Sequence, residues 1–228
     1  MNVKGVRVIA FDADDTLWDC QGYYEAVERE YCRMLSPYGD CQTIAESLFR
    51  TETSNMRALG YGTKAFIISL IETAVKVSGG KITGEGVGEI TALGRSLLDI
   101  PATPFPGVRE TLCRLRGRRL VVFTKGELLD QENKLRRSGL GEFFEREIIV
   151  SDKTEREYRE LCGRLCVSPS ELMMVGNSFR SDVMPAVAAG SYAIHVPRHA
   201  WRLEEGGTFT HERVVTVRVF SDIIDVIG

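Results

Sequence analysis

The stretch from Val6 to Trp18, VRVIAFDADDTLW, constrains this chain more than any other. Its first half, Val6 to Phe11, is an apolar, β-branched run whose length and composition suit a central parallel strand buried on both faces. The run stops abruptly in acid, at Asp12, Asp14 and Asp15. Side chains alternate along a strand, so Asp12 and Asp14 project to one side at its C-terminal end. That end is where open α/β sheets bind ligands. Two carboxylates held so close repel, and one pKa should rise relative to the other unless a cation intervenes. The pair therefore reads as a metal site or as an acid with a nucleophile beside it. A solvated acidic loop would look the same in isolation, so the rest of the chain has to decide.

Helical spacing takes over after Trp18. Tyr23, Ala26, Val27, Tyr31 and Leu35 predict a helix that Ser36-Pro37 and Gly39 break. Three more helical stretches follow, roughly Thr43 to Ala58, Lys64 to Ser78 and Thr83 to Leu98, with glycines between them, so the region reads as an all-α insertion. Pro101, Pro104 and Pro106 suit a stiff connection back to another domain. Beyond it strands and helices alternate. Strands are expected at Arg119 to Phe123, Glu147 to Val150, Leu172 to Val175, Tyr192 to Val196 and near Val214 to Val219. Among the helices, one is capped by Thr154 with Glu157 three residues on, one runs from about Ser181 to Ala189, and a short one ends the chain. This alternation predicts an α/β fold, a parallel sheet with helices on both faces.

The formal net charge of -3 argues against nucleic-acid binding as the main function. The four arginines between Arg114 and Arg119 read as the exposed end of a helix. Residues 1–11 lead straight into a strand without the features of a signal peptide, and no apolar run approaches a membrane span. The six cysteines form no CxxC pair, and the three histidines offer no zinc pattern. A cytoplasmic monomer or homodimer is expected, with no membrane partner.

Asp12-Ala13-Asp14-Asp15-Thr16-Leu17 resembles the DxDx(T/V)(L/V) signature of the haloacid dehalogenase (HAD) superfamily. That family's pattern continues with a Ser or Thr after the second core strand, then a Lys, then Gly-(Asp/Asn)-x-x-x-x-Asp. This sequence supplies, in order, Thr124 in VVFTKG, Lys153 in VSDKT, and Asn177 with Asp182 in VGNSFRSD. Each is weak alone, whereas the ordered set from Val6 to about Val196 is specific. The resemblance implies a Rossmann-like catalytic core of residues 1–17 and 101–228 and a helical cap of residues 18–100. It also implies a Mg²⁺-dependent phosphatase acting on a small phosphorylated metabolite. Asp12 would be the nucleophile that forms an aspartyl-phosphate, and Asp14 the acid and base, held protonated beside Asp12. Thr124, Lys125 and Lys153 would bind the phosphoryl group. Asp12, Asp182, Asn177 and the backbone carbonyl of Asp14 would hold the metal. Thr16 would brace the loop.

Electrostatics explains these residue types. A phosphate monoester carries close to two negative charges that repel a carboxylate nucleophile, so cations must cancel them. Mg²⁺ prefers oxygen ligands, commonly one or two carboxylates with substrate phosphate oxygens. A lysine adds a point charge, and a threonine a directional donor. Asn177 stands where many relatives have Asp, which removes one negative charge and predicts retained activity with weaker metal affinity. Specificity is expected in the cap, with Trp18, Tyr23, Arg57 and Lys64 as candidates for contacting substrate. A phosphomutase would use the same core residues. A phosphonate hydrolase would need a cap lysine such as Lys64, Lys76 or Lys81. A dehalogenase would need no metal and no second acid. A regulatory metal-binding protein would have no use for a proton donor beside the nucleophile.

Overall fold

The structure is a computed structural model that describes residue 3, residues 5–204 and residues 209–228. Its elements in chain order are β1 (Val8–Phe11), α1 (Gln21–Met34), α2 (Cys41–Leu59), α3 (Thr63–Val77), α4 (Gly84–Arg95), α5 (Val108–Arg114), β2 (Arg119–Lys125) and α6 (Leu128–Ser138). There follow β3 (Arg146–Val150), α7 (Glu155–Leu165), β4 (Leu172–Gly176), α8 (Met184–Ala188), β5 (Tyr192–His195), β6 (Val214–Thr216) and α9 (Ile223–Ile227). The chain divides into two compact units, residues 1–21 with 101–228, and residues 22–100.

The first unit is an α/β layer structure. Six strands lie in the order β3-β2-β1-β4-β5-β6, and every neighbouring pair is parallel. Strand β1 lies between β2 and β4, with Phe11 opposite Val122 on one side and Val175 on the other. The period of two sorts its side chains into two cores. Ile9 and Phe11 join Leu112 of α5 and Ile223 of α9 on one face, while Val8 and Ala10 join Tyr158, Leu161 and Leu165 of α7 on the other. Burial on both faces is why the strand is a continuous apolar run. It also brings the C-terminal ends of β1, β2 and β4 side by side.

Three elements differ from the sequence expectation. Strand β2 runs on through Thr124 and Lys125, because β3 continues the ladder as far as Val150. Strand β6 ends at Thr216 rather than near Val219, since the amides of Arg218 and Val219 turn to the Asp222 carboxylate instead of a neighbouring strand. The helix expected from Ser181 opens as a π turn, Phe179–Val183, before α8. Pro185 lacks the N–H that would bond the Ser181 carbonyl in an α-helix. The buried Tyr158 hydroxyl takes that place, 3.1 Å from the carbonyl oxygens of both Ser181 and Asp182.

The second unit packs α1 to α4 around Tyr31, Leu35, Ile44, Leu48, Leu70 and Ile90, all wholly buried or nearly so. The Tyr31 hydroxyl donates to the Leu70 carbonyl at 2.7 Å, which ties α1 to α3. Residues 18–21, which the sequence reading places in the helical domain, belong by their contacts to the α/β unit. Trp18 is the cause: it is fully buried in the core that contains Phe11 and bridges to Asp14 and Pro104. Among the described residues no helix is long and apolar enough to cross a membrane.

Candidate active site

Beyond Phe11 the chain leaves β1 in a tight loop. Asp15 adopts φ 60°, and its carboxylate accepts the amides of Cys20 and Gln21 at 2.8 Å each, which closes the loop onto the start of α1. Burial pushes the Asp15 carboxyl up to about 7 despite those two amides. Thr16 braces the loop on the inside. Its hydroxyl lies 2.9 Å from Asp12 Oδ2 and 3.2 Å from Asn177 Oδ1, and its single proton serves one of them at a time.

Lys153 follows β3, and its Nζ reaches both Asp12 Oδ1 at 2.6 Å and Asp182 Oδ1 at 2.7 Å. All three side chains are buried. Burial pushes the Asp12 carboxyl up to about 7; Lys153 opposes the rise, and Asp182 and Asp14 add to it. For Lys153 burial works the other way, yet the two carboxylates hold its pKa above the ordinary lysine value. Asp182 is fixed from behind, its Oδ2 accepting the Ser178 amide at 3.0 Å. A Cβ on Gly176 would fall 2.2 Å from that same oxygen, so glycine at the end of β4 is what lets Asp182 stand there. His195 supports the next residue, with Nε2 3.0 Å from the Asn177 carbonyl oxygen.

Asp14 faces a different set of partners. Trp18 Nε1 donates to its Oδ1 at 2.8 Å, while Gln131 Nε2 at 2.9 Å and Lys134 Nζ at 2.6 Å reach its Oδ2. Burial favours a raised pKa, but the Lys134 charge and the three hydrogen bonds outweigh it and hold the carboxyl below the usual range. These donors favour the ionised form of Asp14, whereas the sequence expectation is a carboxyl held protonated beside Asp12. Trp18 serves this carboxylate too, and as a fully buried residue it is not available as a substrate contact.

Thr124 is buried at the end of β2. Its hydroxyl lies 3.4 Å from the Lys125 carbonyl, too long for a firm bond, which leaves its donor capacity to a ligand. Lys125 differs from its expected role as a phosphate contact: its Nζ bonds Ser181 Oγ and Glu204 Oε1 at 2.7 Å each. Glu204 also accepts from the hydroxyls of Ser178 and Ser181 at 2.7 and 2.5 Å. Burial would raise its carboxyl, but Lys125 and the serines hold it down at about 2. In the helical unit Tyr23 is half-buried beside a cavity lined by Val27 and Leu97, while Arg57 and Lys64 are exposed.

Gln131, Lys134, Ser178, Ser181 and Glu204 escaped the sequence reading. One signal was available on α6, where Gln131, Lys134, Leu135 and Ser138 recur at helical spacing and are buried, while Leu128 and Leu129 are exposed.

A family model for haloacid dehalogenase-like hydrolases matches residues 6–190. A glyceraldehyde 3-phosphate phosphatase of Methanothermobacter thermautotrophicus is 29% identical over 203 residues, 84% of this chain and 85% of that protein. A second, from Methanopyrus kandleri, is 26% identical over 202 residues, 85% of this chain and 84% of that one. Among solved structures, a haloacid dehalogenase-like family hydrolase from Xanthomonas campestris superimposes with a TM-score of 0.87 at 31% identity, covering 98% of this chain and 92% of its own. The match spans all four strand-end motifs, and this chain belongs to the haloacid dehalogenase-like hydrolases.

Proposed function

We propose that the chain is a Mg²⁺-dependent phosphatase that hydrolyses a small phosphate monoester through an aspartyl-phosphate on Asp12. The observation that carries this reading is Lys153 bridging Asp12 and Asp182 at 2.6 and 2.7 Å, while Asp14, two residues on, stands in a separate network. A purely structural site has no need to divide two neighbouring acids in that way.

The residues fit the implied metal by the chemistry of their donors. Asp12, Asp182, the Asn177 amide oxygen and the Asp14 carbonyl are hard oxygen ligands of the kind Mg²⁺ accepts. Burial is the main reason the Asp12 carboxyl rises, and the Asp182 charge beside it adds to the rise. Among the described residues no cluster of three or more Asp, Glu, His or Cys side chains forms a metal site. The count is low because Asn177 supplies an amide, and Mg²⁺ commonly uses only one or two carboxylates. When bound, the ion neutralises phosphate and carboxylate charge together.

The chain's own residues do the rest. Lys153 places positive charge between Asp12 and Asp182, so a phosphate dianion meets a cation rather than two bare acids. The Asp12 carboxylate attacks phosphorus as the ester bond breaks, and Thr124 donates to the phosphoryl oxygens. Asp14 transfers a proton to the leaving oxygen, then takes one from the water that cleaves the aspartyl-phosphate. The three donors around its carboxyl suit the ionised form that the second of these steps needs. For Lys125 to join the phosphate it would have to give up Glu204.

The phosphatase relatives act on glyceraldehyde 3-phosphate, by their names. We take that ester as the first member of a panel of phosphorylated metabolites assayed with Mg²⁺, beside Asp12→Asn. Phosphate release by the native chain, lost by at least about 10³-fold in the variant, is the expected result. Phosphate release that survives Asp12→Asn would overturn the reading, as would halide release without Mg²⁺. Residues 22–100 are assigned the choice of ester, so substitutions at Tyr23, Arg57 or Lys64 should reorder the panel without changing the Mg²⁺ requirement.

A further inference from the structure

Lys134 is a buried lysine that none of the family motifs includes. Its side chain is 3% exposed. It leaves the second turn of α6 to end 2.6 Å from Asp14 Oδ2 and 3.5 Å from Asp130 Oδ2, one turn back on the same helix. Gln131 lies between these two on the helix, and its amide nitrogen donates both to Asp14 Oδ2 at 2.9 Å and to the Lys125 carbonyl at 2.7 Å. With Trp18 Nε1 on Oδ1, both oxygens of Asp14 are held, from two directions.

The arrangement is built at some cost. A buried lysine is unfavourable unless paired, and an apolar residue of similar size in its place is commonly as stable or more so. Gly126 is part of the construction: it adopts φ 137°, and a Cβ there would come within 2.8 Å of Gln131 Nε2. Helix α6 thus turns Gln131 and Lys134 inward at the position where an ordinary amphipathic helix puts leucines, and leaves Leu128 and Leu129 in solvent. What the inward residues have in common is Asp14.

We propose that Lys134, with Gln131, is a positioning residue for Asp14, fixing the direction in which that carboxyl meets the leaving oxygen and the attacking water. The inference rests on the phosphatase reading above. In the first step the Asp12–phosphorus bond forms, the ester bond breaks and the leaving oxygen gains a proton from Asp14. In the second, water adds to phosphorus, the Asp12–phosphorus bond breaks and the water's proton passes to Asp14. Lys134 keeps its own protons throughout and acts only through the orientation of its partner. Its loss should therefore matter in proportion to how much the leaving group needs that proton.

The test compares two esters on Lys134→Met and Lys134→Arg: glyceraldehyde 3-phosphate, whose alkoxide leaving group must be protonated, and p-nitrophenyl phosphate, whose phenolate needs little help. Lys134→Met should lower kcat/KM, which reads only the step that breaks the ester bond, by about 10²-fold on the alkyl ester and by less than about 10-fold on the aryl ester. Lys134→Arg should recover most of the loss. In an Asp14→Asn background, Lys134→Met should add no further loss, because the group it positions is already gone. If Lys134→Met does not fold, Gln131→Met reads the same dependence on leaving group at smaller amplitude. Equal losses of kcat/KM on the two esters, a loss confined to KM, or losses that multiply in the double variant would overturn the inference. Asp12→Asn keeps the two readings apart: activity surviving there defeats the phosphatase assignment, whereas an inactive Asp12→Asn with an even Lys134 effect defeats only this one.

Discussion

Asp12 and Asp14 stand two residues apart at the end of one strand, and their carboxyls meet opposite conditions. Asp12 is buried and Asp14 half-buried, its side chain 25% exposed, and desolvation alone would raise both. Asp12 is pushed up to about 7, while Asp14 is held below the usual range. The difference lies in how each lysine is divided. Lys153 is shared between Asp12 and Asp182 at nearly equal distances, so its charge answers two acids. Lys134 makes its short contact with Asp14, keeps Asp130 at 3.5 Å, and is assisted by two neutral donors. One acid is left wanting a further cation, and the other is satisfied by the protein. The proposed roles, a metal-assisted nucleophile beside a proton carrier, call for that asymmetry.

The strongest way to break the comparison is Lys153→Met. It leaves Asp12 and Asp182 buried without their ammonium, which should cost about 3–5 kcal/mol. In a thermal melt that is a fall of roughly 10 °C, and activity should fall to background. Added Mg²⁺ should recover part of the melting temperature, because it replaces the lost charge between the two carboxylates. An unchanged melt would mean that the lysine is not what reconciles them.

Gly176→Ala acts on the Asp182 side alone. Its Cβ would displace an oxygen that lies 2.2 Å away. The Mg²⁺ concentration for half-maximal activity should rise by about 10-fold or more, while the response to leaving group should stay as in the native chain, since Asp14 is held elsewhere. A shift in the latter would show that the two networks are not separate.

Asn177→Asp restores a negative charge near Asp12 and should lower the Mg²⁺ requirement several-fold, read from a magnesium titration of the rate. An unchanged titration would remove charge as the reason for this residue's effect.

The smallest effect is expected in the helical unit. Glu52 of α2 is a half-buried acid: desolvation and the neighbouring Glu28 push it up to about 8. Its ordinary value of 4.5 holds in the unfolded chain, so between these two pH values the folded state binds the extra proton. Stability contributed by that proton is complete below about 4.5 and is lost as pH rises through about 8. Glu52→Gln should melt like the native chain at pH 5 and a few degrees higher at pH 9. A constant difference across that range would show that the Glu52 carboxyl is not kept protonated by its surroundings.

Much of this was legible in the chain. The apolar run before Asp12 could only be a strand buried twice, and a strand of that kind places its first acids at the ligand-binding edge. Thr124, Lys153 and Asp182 each follow a run of the same type, so the parallel sheet gathers them whatever the details of the loops. Lys134 and Glu204 were not legible in that way. A lysine on a helix reads as a solvated side chain, and α6 reads as ordinary until Leu128 and Leu129 prove to be exposed. Glu204 reaches Ser178 from 26 residues further along the chain, through a segment with no periodicity to announce it.

The sequence by itself determined which residues stand at the strand ends, because side-chain alternation and the parallel order of the strands are fixed by local pattern. Only the tertiary structure decided which lysine each acid would face. That choice depends on ammonium groups delivered from elements far away in the chain, where a shift of a few ångströms exchanges one partner for another. It is this pairing, not the presence of the acids, that makes Asp12 and Asp14 chemically different.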